Sequence, residues 1–378
     1  LNLPAAPLVG LIMAFGYIYL FFNSLLPTVG HLLSIVLKML VRFFSWMTTW
    51  LEPFNSLSYR IPSPPLIVVL SFYLFLFLFL LKTKFRGQKL ITAAGFLVSF
   101  LILITFPFRP ESRGLVVTFM DVGQGDSIVI EFPQGRLMVI DAGGFPQSPF
   151  DPGESLVSPY LWHKGYKKID YLVSTHLHPD HAGGLPSLAR NFKIKEYWYA
   201  EENPESLLEK EINKALPARV KKIKIRTGLE TTCAGARIEV LYPDEQAFSH
   251  FKPGNDVSAV LKLEFAQYSF LFAADITSPV EDYLVGSSAQ KLKATVLKIP
   301  HHGSRSSSSQ AFLEAVLPEW AVITSGRNNV YGFPEAQVLS RLKASGIKTL
   351  RTDLDGAIQF QVSGPKLMVR TAVSGNIN

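Results

Sequence analysis

The chain has 378 residues, 48% of them hydrophobic, and carries 37 Lys or Arg against 30 Asp or Glu for a formal net charge of +7. Residues 1–110 hold eight of the basic side chains (Lys38, Arg42, Arg60, Lys82, Lys84, Arg86, Lys89 and Arg109) and one acid, Glu52, which leaves residues 111–378 with 29 of each sign and no net charge. The charge is therefore no argument for a broad nucleic-acid-binding face, and the single cysteine, Cys233, excludes both an intrachain disulfide and a cysteine-rich zinc site.

Apolar sequence dominates the first 110 residues. Residues 8–22 are uncharged, and with flanks from 5 to 26 they reach the twenty or so residues needed to cross a bilayer as a helix. Residues 66–81 and 90–106 are expected to be two further spans, the first without any polar face. Between them and the first span, residues 29–50 set Lys38 and Arg42 among Leu, Phe and Trp. With Phe43, Phe44, Trp46, Trp50 and Phe54 as an aromatic band, this stretch fits a helix lying in the membrane interface. Pro62, Pro64 and Pro65 then interrupt the chain. The start at Leu1 inside apolar sequence, with no basic region before it, is expected of a piece of a longer multi-pass membrane protein rather than of a signal peptide. The loop 82–89 holds four cations and no acid, so the positive-inside tendency makes it cytoplasmic and puts residues 111–378 on the extracytoplasmic side.

Residues 111–378 suffice for one large domain, an α+β pattern of short strands punctuated by glycine with helices between some of them. Strands are expected at 115–120, 127–132 and 137–140, the last two forming a hairpin around Pro133-Gln134-Gly135-Arg136. Further along, apolar strands end abruptly in polar clusters. Residues 171–175 lead into His176-Leu177-His178-Pro179-Asp180-His181 and then Ala182-Gly183-Gly184. Residues 269–273 lead to Asp275, 294–299 to His301-His302-Gly303-Ser304, and 320–324 to Ser325-Gly326-Arg327-Asn328-Asn329.

Five of the eight histidines fall in two of these clusters. His176 and His178, two apart, can face one ion in an extended or loop backbone, and Asp180 and His181 can reach a second beside it. Ligands of layered α/β folds gather outside one set of strand ends, so the clusters are expected to converge in one cleft. Taken alone, Asp141 before Ala142-Gly143-Gly144 also reads as a turn residue and Asp275 as a helix cap. His31, His163 and His250 are isolated, and the basic run Lys221, Lys222, Lys224, Arg226 alternates with isoleucine as a strand with one wet face would.

The set His176 to His181 with its Gly-Gly tail, preceded by Asp141 and followed by Asp275 and His301-His302, resembles the metallo-β-lactamase superfamily. Asp121-Val-Gly-Gln-Gly-Asp-Ser127, Asn255-Asp256-Val-Ser258, Pro300-His-His-Gly-Ser304 and Gly326-Arg-Asn-Asn329 further resemble the extracellular domain of the ComEC competence family, which takes up transforming DNA. The resemblance covers nearly all of 115–362. It implies an αββα sandwich over 111–378, preceded by the end of a membrane channel over 1–110. It also implies two divalent ions, Zn or Mn, held by His176, His178, Asp180, His181, Asp256 (or Asn255), Asp275 and His301 or His302. Asp141 would orient a histidine, Arg305 and Arg327 would contact phosphate, and Asp180 would serve the reaction as well as the metal.

The implied activity is hydrolysis of DNA phosphodiesters at the outer face of a bacterial cell membrane, trimming one strand while the other is translocated. The lipid bilayer and other competence proteins, such as a surface DNA receptor, are the implied partners, with oligomerisation left open. The competing readings are the same chemistry on another ester or a lactam, and a translocation module that binds DNA without cleaving it. Two positions depart from the family pattern. No histidine stands where Asn255-Asp256 occurs, and the family's Tyr-Gly-His-Pro is Tyr331-Gly332-Phe333-Pro334 here.

Overall fold

The computed structural model describes residues 2–51, 64, 66–81, 86–105, 114–145, 148 and 150–377. Packing divides the chain into two units, Leu1–Arg60 and Ile61–Asn378. The first consists of α1 (Asn2–Leu25) and α2 (Pro27–Leu51), which pack on one another. By length and composition, Ala5–Leu25 and Pro27–Trp50 are both candidate membrane spans. The second of these covers the stretch expected to lie in the membrane interface, and its length and composition fit a span as well. His31, Ser34, Lys38, Arg42, Ser45 and Thr49 follow one another three or four apart along α2, so its polar groups share one stripe and the remaining surface is apolar throughout.

In the second unit, α3 (Leu66–Leu80) and α4 (Arg86–Thr105) form a helix pair in which Phe72 and Phe96 lie 5.0 Å apart. Their apolar stretches, Leu66–Leu80 and Gly87–Leu103, overlap the spans expected at 66–81 and 90–106. The basic loop residues 82–85 and the charges at 109–113, on which the orientation argument rests, lie outside the described residues.

The rest of this unit builds two facing sheets. The strands in chain order are β1 (Leu115–Phe119), β2 (Ile128–Glu131), β3 (Leu137–Ile140), β4 (Lys168–Ser174), β5 (Lys193–Tyr199), β6 (Lys221–Lys224), β7 (Glu230–Cys233), β8 (Ala236–Tyr242), β9 (Val260–Phe265), β10 (Tyr268–Phe272), β11 (Val296–Lys298), β12 (Trp320–Ile323), β13 (Lys348–Arg351), β14 (Ile358–Ser363), β15 (Lys366–Thr371) and β16 (Gly375–Ile377). One sheet has the order β16-β15-β14-β1-β2-β3-β4-β5-β6 and the other β13-β12-β11-β10-β9-β8-β7. Each pairs antiparallel at one end and runs parallel from β3 to β6 or from β10 to β13.

Alternation along the strands assigns the faces. Val117, Phe119, Ile128, Ile130, Met138 and Ile140 of the first sheet meet Val240, Leu261, Phe270, Phe272, Val296 and Val322 of the second in one buried core. The residues between them point outward. Val129, Val139 and Leu172 pack under α5 (Ser158–His163), a single turn α6 (Pro179–Ala182), α7 (Leu185–Asn191) and α8 (Leu207–Ala215). On the opposite side, a turn α9 (Ala247–His250) with α10 (Ser278–Leu292), α11 (Gln310–Val316) and α12 (Ala336–Ala344) covers Leu271, Leu297 and Ile323. The last turn is α13 (Thr352–Asp355). The layers read helix, sheet, sheet, helix, which is the αββα sandwich expected. Parallel β3–β4 and β10–β11–β12 all point the same ends of the sandwich outward, and the polar clusters follow those ends directly.

Candidate metal centre

Three loops of the first sheet are tied together by backbone hydrogen bonds. Asp126 N donates to Asp180 O at 3.0 Å, Gly143 N to Asp126 O at 2.7 Å, Ala142 N to His181 O at 2.8 Å and Gly184 N to Gly143 O at 2.8 Å. Such contact leaves no room for side chains. A Cβ on Gly125 would stand 2.1 Å from Asp180 O, and one on Gly144 2.0 Å from Pro179 O, with φ at +133° and +155°. The glycines therefore decide where the His176–His181 loop sits.

Across the sandwich, the second sheet contributes Asp275 after β10 and His302 after β11. The His181 and His302 Nε2 atoms lie 3.1 and 3.3 Å from Asp275 Oδ2, and His302 Nε2 lies 3.5 Å from Asp180 Oδ2. Asp180, His181, Asp275 and His302 can each direct one donor atom at a common point. The His176 ring stands 4.2 Å from that of His181 and 4.6 Å from that of His178. Several turns here are strained. Asp141, Ala274, His301 and His302 all have φ between 44° and 56°, so the fold holds these backbones in the left-handed region at the site.

The donor set fits a divalent ion. The Nε2 atoms of His176, His181 and His302 are buried and make no hydrogen bond, and neither does the buried Oδ1 of Asn255. Buried polar atoms are almost always satisfied, so this many unpartnered donors in one place point to a missing partner that accepts lone pairs. The opposite ring nitrogens are tied down. His181 Nδ1 donates to Asp141 Oδ2 at 2.8 Å, and His302 Nδ1 donates to Thr324 O at 2.8 Å. Thr175 in turn donates its backbone N–H and hydroxyl to Asp141 at 2.9 and 2.6 Å. These bonds fix the tautomers that turn Nε2 inward, the arrangement that orients metal-bound imidazoles.

Two residues that motif spacing did not single out complete the charge pattern. Lys298, fully buried at the end of β11, places Nζ 2.5 Å from Asp126 Oδ2 and 3.4 Å from Asp275 Oδ1, and donates to Ala274 O at 2.7 Å. Asp126 also accepts a short hydrogen bond from the Thr324 hydroxyl and joins Asp141 and His181 in a second convergent group. Their signal in sequence was a lysine inside an apolar strand and an aspartate inside a glycine turn, both ordinary by themselves.

The protonation states follow from this crowding. Burial alone would push the His302 imidazole down, but Asp275, Asp180 and Asp126 outweigh it and bring it up to about 9. His181 is likewise carried well above its ordinary value against burial, by Asp275 and Asp126 and by its bond to Asp141. Burial works to raise the Asp275 and Asp180 carboxyls, yet the neighbouring imidazoles, with Lys298 for Asp275, hold both below the usual carboxylate range. His176 is pushed well below its ordinary value by burial and by His181. For Asp141, burial prevails over His181 and Thr175 and its carboxyl is raised.

Not every expected residue converges. The Asp256 carboxylate is occupied by the Thr277 hydroxyl and lies outside both convergent groups, whereas its neighbour Asn255 faces His301 Nε2 with its amide nitrogen at 3.3 Å. Of the paired histidines, His302 joins the centre. His301 is turned toward Asn255 and Phe333, whose ring lies 5.8 Å away. Arg305 is exposed on the following loop. Arg327 donates its Nε to Asp353 O at 3.3 Å beside a cleft of about 630 Å³ that reaches Asp180. The lysines of β6 are engaged by Glu196, Glu202 and Asn213, in keeping with a solvated edge strand.

The family model of the metallo-beta-lactamase superfamily matches residues 120–326. Over 347 residues, 84% of this chain, it is 28% identical to ComE operon protein 3 of Bacillus subtilis (strain 168), covering 43% of that protein. Over 256 residues, 67% of this chain, it is 32% identical to competence protein ComA of Neisseria gonorrhoeae, covering 33% of it. The chain thus spans less than half the length of these curated relatives. Among solved structures, the metallo-beta-lactamase fold protein YhfI from Bacillus subtilis has a TM-score of 0.45 at 10% identity, over 66% of this chain and all of that one. The expected resemblance to competence proteins thus holds over most of the chain, and with the superfamily match extending over more than half of it, the chain belongs to the metallo-beta-lactamase superfamily.

Proposed function

We propose that this chain is a metal-dependent phosphodiesterase acting on DNA, with residues 111–378 as the hydrolase and residues 1–110 as its membrane part. The observation that carries the reading is the convergence of two buried, unbonded imidazole nitrogens, those of His181 and His302, on Asp275 next to Asp180, with the unbonded Nε2 of His176 on a ring 4.2 Å from that of His181. His176 and His178, with the Asn255 amide oxygen, would hold one divalent ion, and Asp180, His181, Asp275 and His302 the other, with Zn or Mn as the expected metals. Bound there, the ions would supply a hydroxide nucleophile near neutral pH and offset charge on the phosphate oxygens.

The remaining work belongs to the protein. Asp141 holds His181 in the required tautomer, and Thr324 O does so for His302. Lys298 fixes Asp126 and one oxygen of Asp275, leaving the other oxygen facing His181 and His302. The glycine contacts keep the His176–His181 loop rigid, which preserves the spacing on which in-line attack depends. Arg327, on the cleft that leads from Asp180, is placed to meet phosphate, and Arg305 is exposed to approaching substrate.

The names of the relatives, a ComE operon protein and a competence protein, support a role in competence, and the two candidate spans fit a bacterial membrane; that the substrate is DNA and that one strand is degraded outside as its partner enters are part of the same proposal. A non-cleaving DNA-binding module is the second reading. It is favoured by the packing of Phe333 on His301, which puts an apolar ring there where the resembled family carries a histidine. The test is the full chain in detergent with Mn²⁺ or Zn²⁺ and linear single- and double-stranded DNA, beside Asp180→Ala and His178→Ala. Metal-dependent cleavage lost in both variants supports the nuclease. Cleavage unchanged in them removes it, and binding without cleavage favours the second reading.

A further inference from the structure

The cleft that reaches Asp180 is lined by Gly123 and Gln124, by Phe145 and by Arg327 to Tyr331. The walls are fixed rather than loose. Gln124 accepts from Gly326 N at 3.2 Å, and a Cβ on Gly326 would stand 2.7 Å from Gln124 N, so the two loops are locked at their roots. Asn329 holds the far loop by accepting from Phe333 N at 3.0 Å and donating to Phe333 O at 2.7 Å. From that rigid base, Tyr331 is 56% exposed and stacks on Phe333 at 5.6 Å with 19° between the rings. Phe333 itself lies against His301. An aromatic ladder therefore runs from solvent to the edge of the metal centre, with the cation of Arg327 on the same loop.

From this arrangement we propose a base-stacking subsite for single-stranded nucleic acid, in which Tyr331 receives the base next to the phosphate held at the metal centre. Arg327 meets the following phosphate. The inference rests on the phosphodiesterase reading for the identity of the substrate but needs no cleavage to operate. An exposed, presented tyrosine face backed by a second ring offers stacking area that a buried core aromatic cannot, and every base has a face to match it. A cleft of about 630 Å³ has the size of a small-ligand site, enough for a stacked nucleotide, and its opening toward Asp180 joins it to the centre. A base paired in a duplex has no free face, so the subsite selects unpaired strands. In this light, Phe333 in place of a histidine is a base for the stack rather than a lost catalytic group.

The test is binding, measured by fluorescence anisotropy of the full chain in detergent with Mn²⁺ and phosphorothioate-backbone probes, so that the metal centre can be occupied while cleavage is suppressed. The probes are an oligothymidylate, an abasic oligonucleotide of equal length, and a duplex. Tyr331→Ala is expected to weaken oligothymidylate binding on the order of ten-fold. Tyr331→Phe should bind as wild type, which also reports that the loop folds. The abasic strand should bind both proteins equally and weakly. Equal oligothymidylate binding by wild type and Tyr331→Ala overturns the proposal, as does an equal loss on the abasic strand. So does a Tyr331→Ala protein that loses affinity for phosphatidylglycerol vesicles alone, which would make the exposed Val330-Tyr331 tip a lipid contact. Because the readout is binding, a chain that stacks bases but cleaves nothing overturns only the nuclease reading, and one that cleaves with no role for Tyr331 overturns only the subsite.

Discussion

Asp275→Asn is the most informative single change, because Asp275 is 2% exposed and faces three potential cations at once: His181, His302 and Lys298. The substitution keeps the shape and removes the charge. Without a metal at pH 6, both imidazoles are protonated, since His302 is brought up to about 9 and His181 well above its ordinary value. Removing their shared carboxylate leaves buried cations undercompensated, a loss of about 3–5 kcal/mol for a broken buried network. For a domain of this size that lowers Tm by roughly 10 °C. The stabilising contribution of a raised histidine is present below the unfolded value of about 6.5 and is lost as pH rises through the folded value. The His302 part of the gap between wild type and variant should therefore narrow as pH rises from about 6.5 through about 9, leaving the Lys298 contact and what His181 still holds. Circular-dichroism melts of both proteins in EDTA from pH 6 to 9.5 provide the measurement. A gap below about 1 kcal/mol at pH 6, or one that widens with pH, would refute the charge arrangement described.

Divalent-ion affinity should rise with pH through about 9, because the ion must displace protons held on His302 and His181; calorimetry in buffers of different ionisation heat should detect proton release on binding. Gly125→Ala should disrupt the metal loop, since its Cβ would stand 2.1 Å from Asp180 O, whereas Gly364→Ala, at φ +57° with open space around it, should cost about 1 kcal/mol; thermal melts and Mn²⁺ affinity together distinguish the two. Asp256→Ala should leave metal stoichiometry unchanged while His178→Ala lowers it, because the Asp256 carboxylate is held by Thr277; elemental analysis of the purified variants checks this.

The strand ends were legible because their chemistry changes abruptly. Apolar runs such as 171–175 and 294–299 stop at His176 and His301-His302, and β4 and β11 end within a few residues of those points. The two-layer core was expected from the family resemblance alone, and the structure shows its physical basis: the alternate residues of β1, β2 and β3 are buried on both faces, one against the second sheet and the other under helices. What sequence did not disclose depends on long-range approach. Lys298 reads as one more residue of a short strand, and only the fold brings it to Asp126, which lies well over a hundred residues earlier. The choice between His301 and His302 is set by a tight left-handed turn that aims one ring inward and the other at Phe333. For 29–50, Lys38 and Arg42 fall on one stripe of the helix, a pattern that suits the membrane interface, while its length and composition also suit spanning.

The geometry also makes the centre unequal on its two sides, and the inequality is measurable. On one side stand Asp180, His181 and His302 about Asp275, two carboxylates and two imidazoles with only Asp180 not fully enclosed. On the other, in the proposed two-ion arrangement, would stand His176, the exposed His178 and the neutral amide oxygen of Asn255. Affinity for a divalent ion grows with the number and charge of oxygen and imidazole donors and with their rigidity, so the first ion should settle on the Asp180 side. A neutral amide is a poorer donor than imidazole, and an exposed ring must be ordered before it can bind, which weakens the second ion. Mn²⁺ titration followed by calorimetry should therefore resolve two steps, the weaker one abolished in His178→Ala and strengthened in Asn255→His. A single step of two equivalents, insensitive to Asn255→His, would show that the two sides act as one and that the amide is no handicap to the centre.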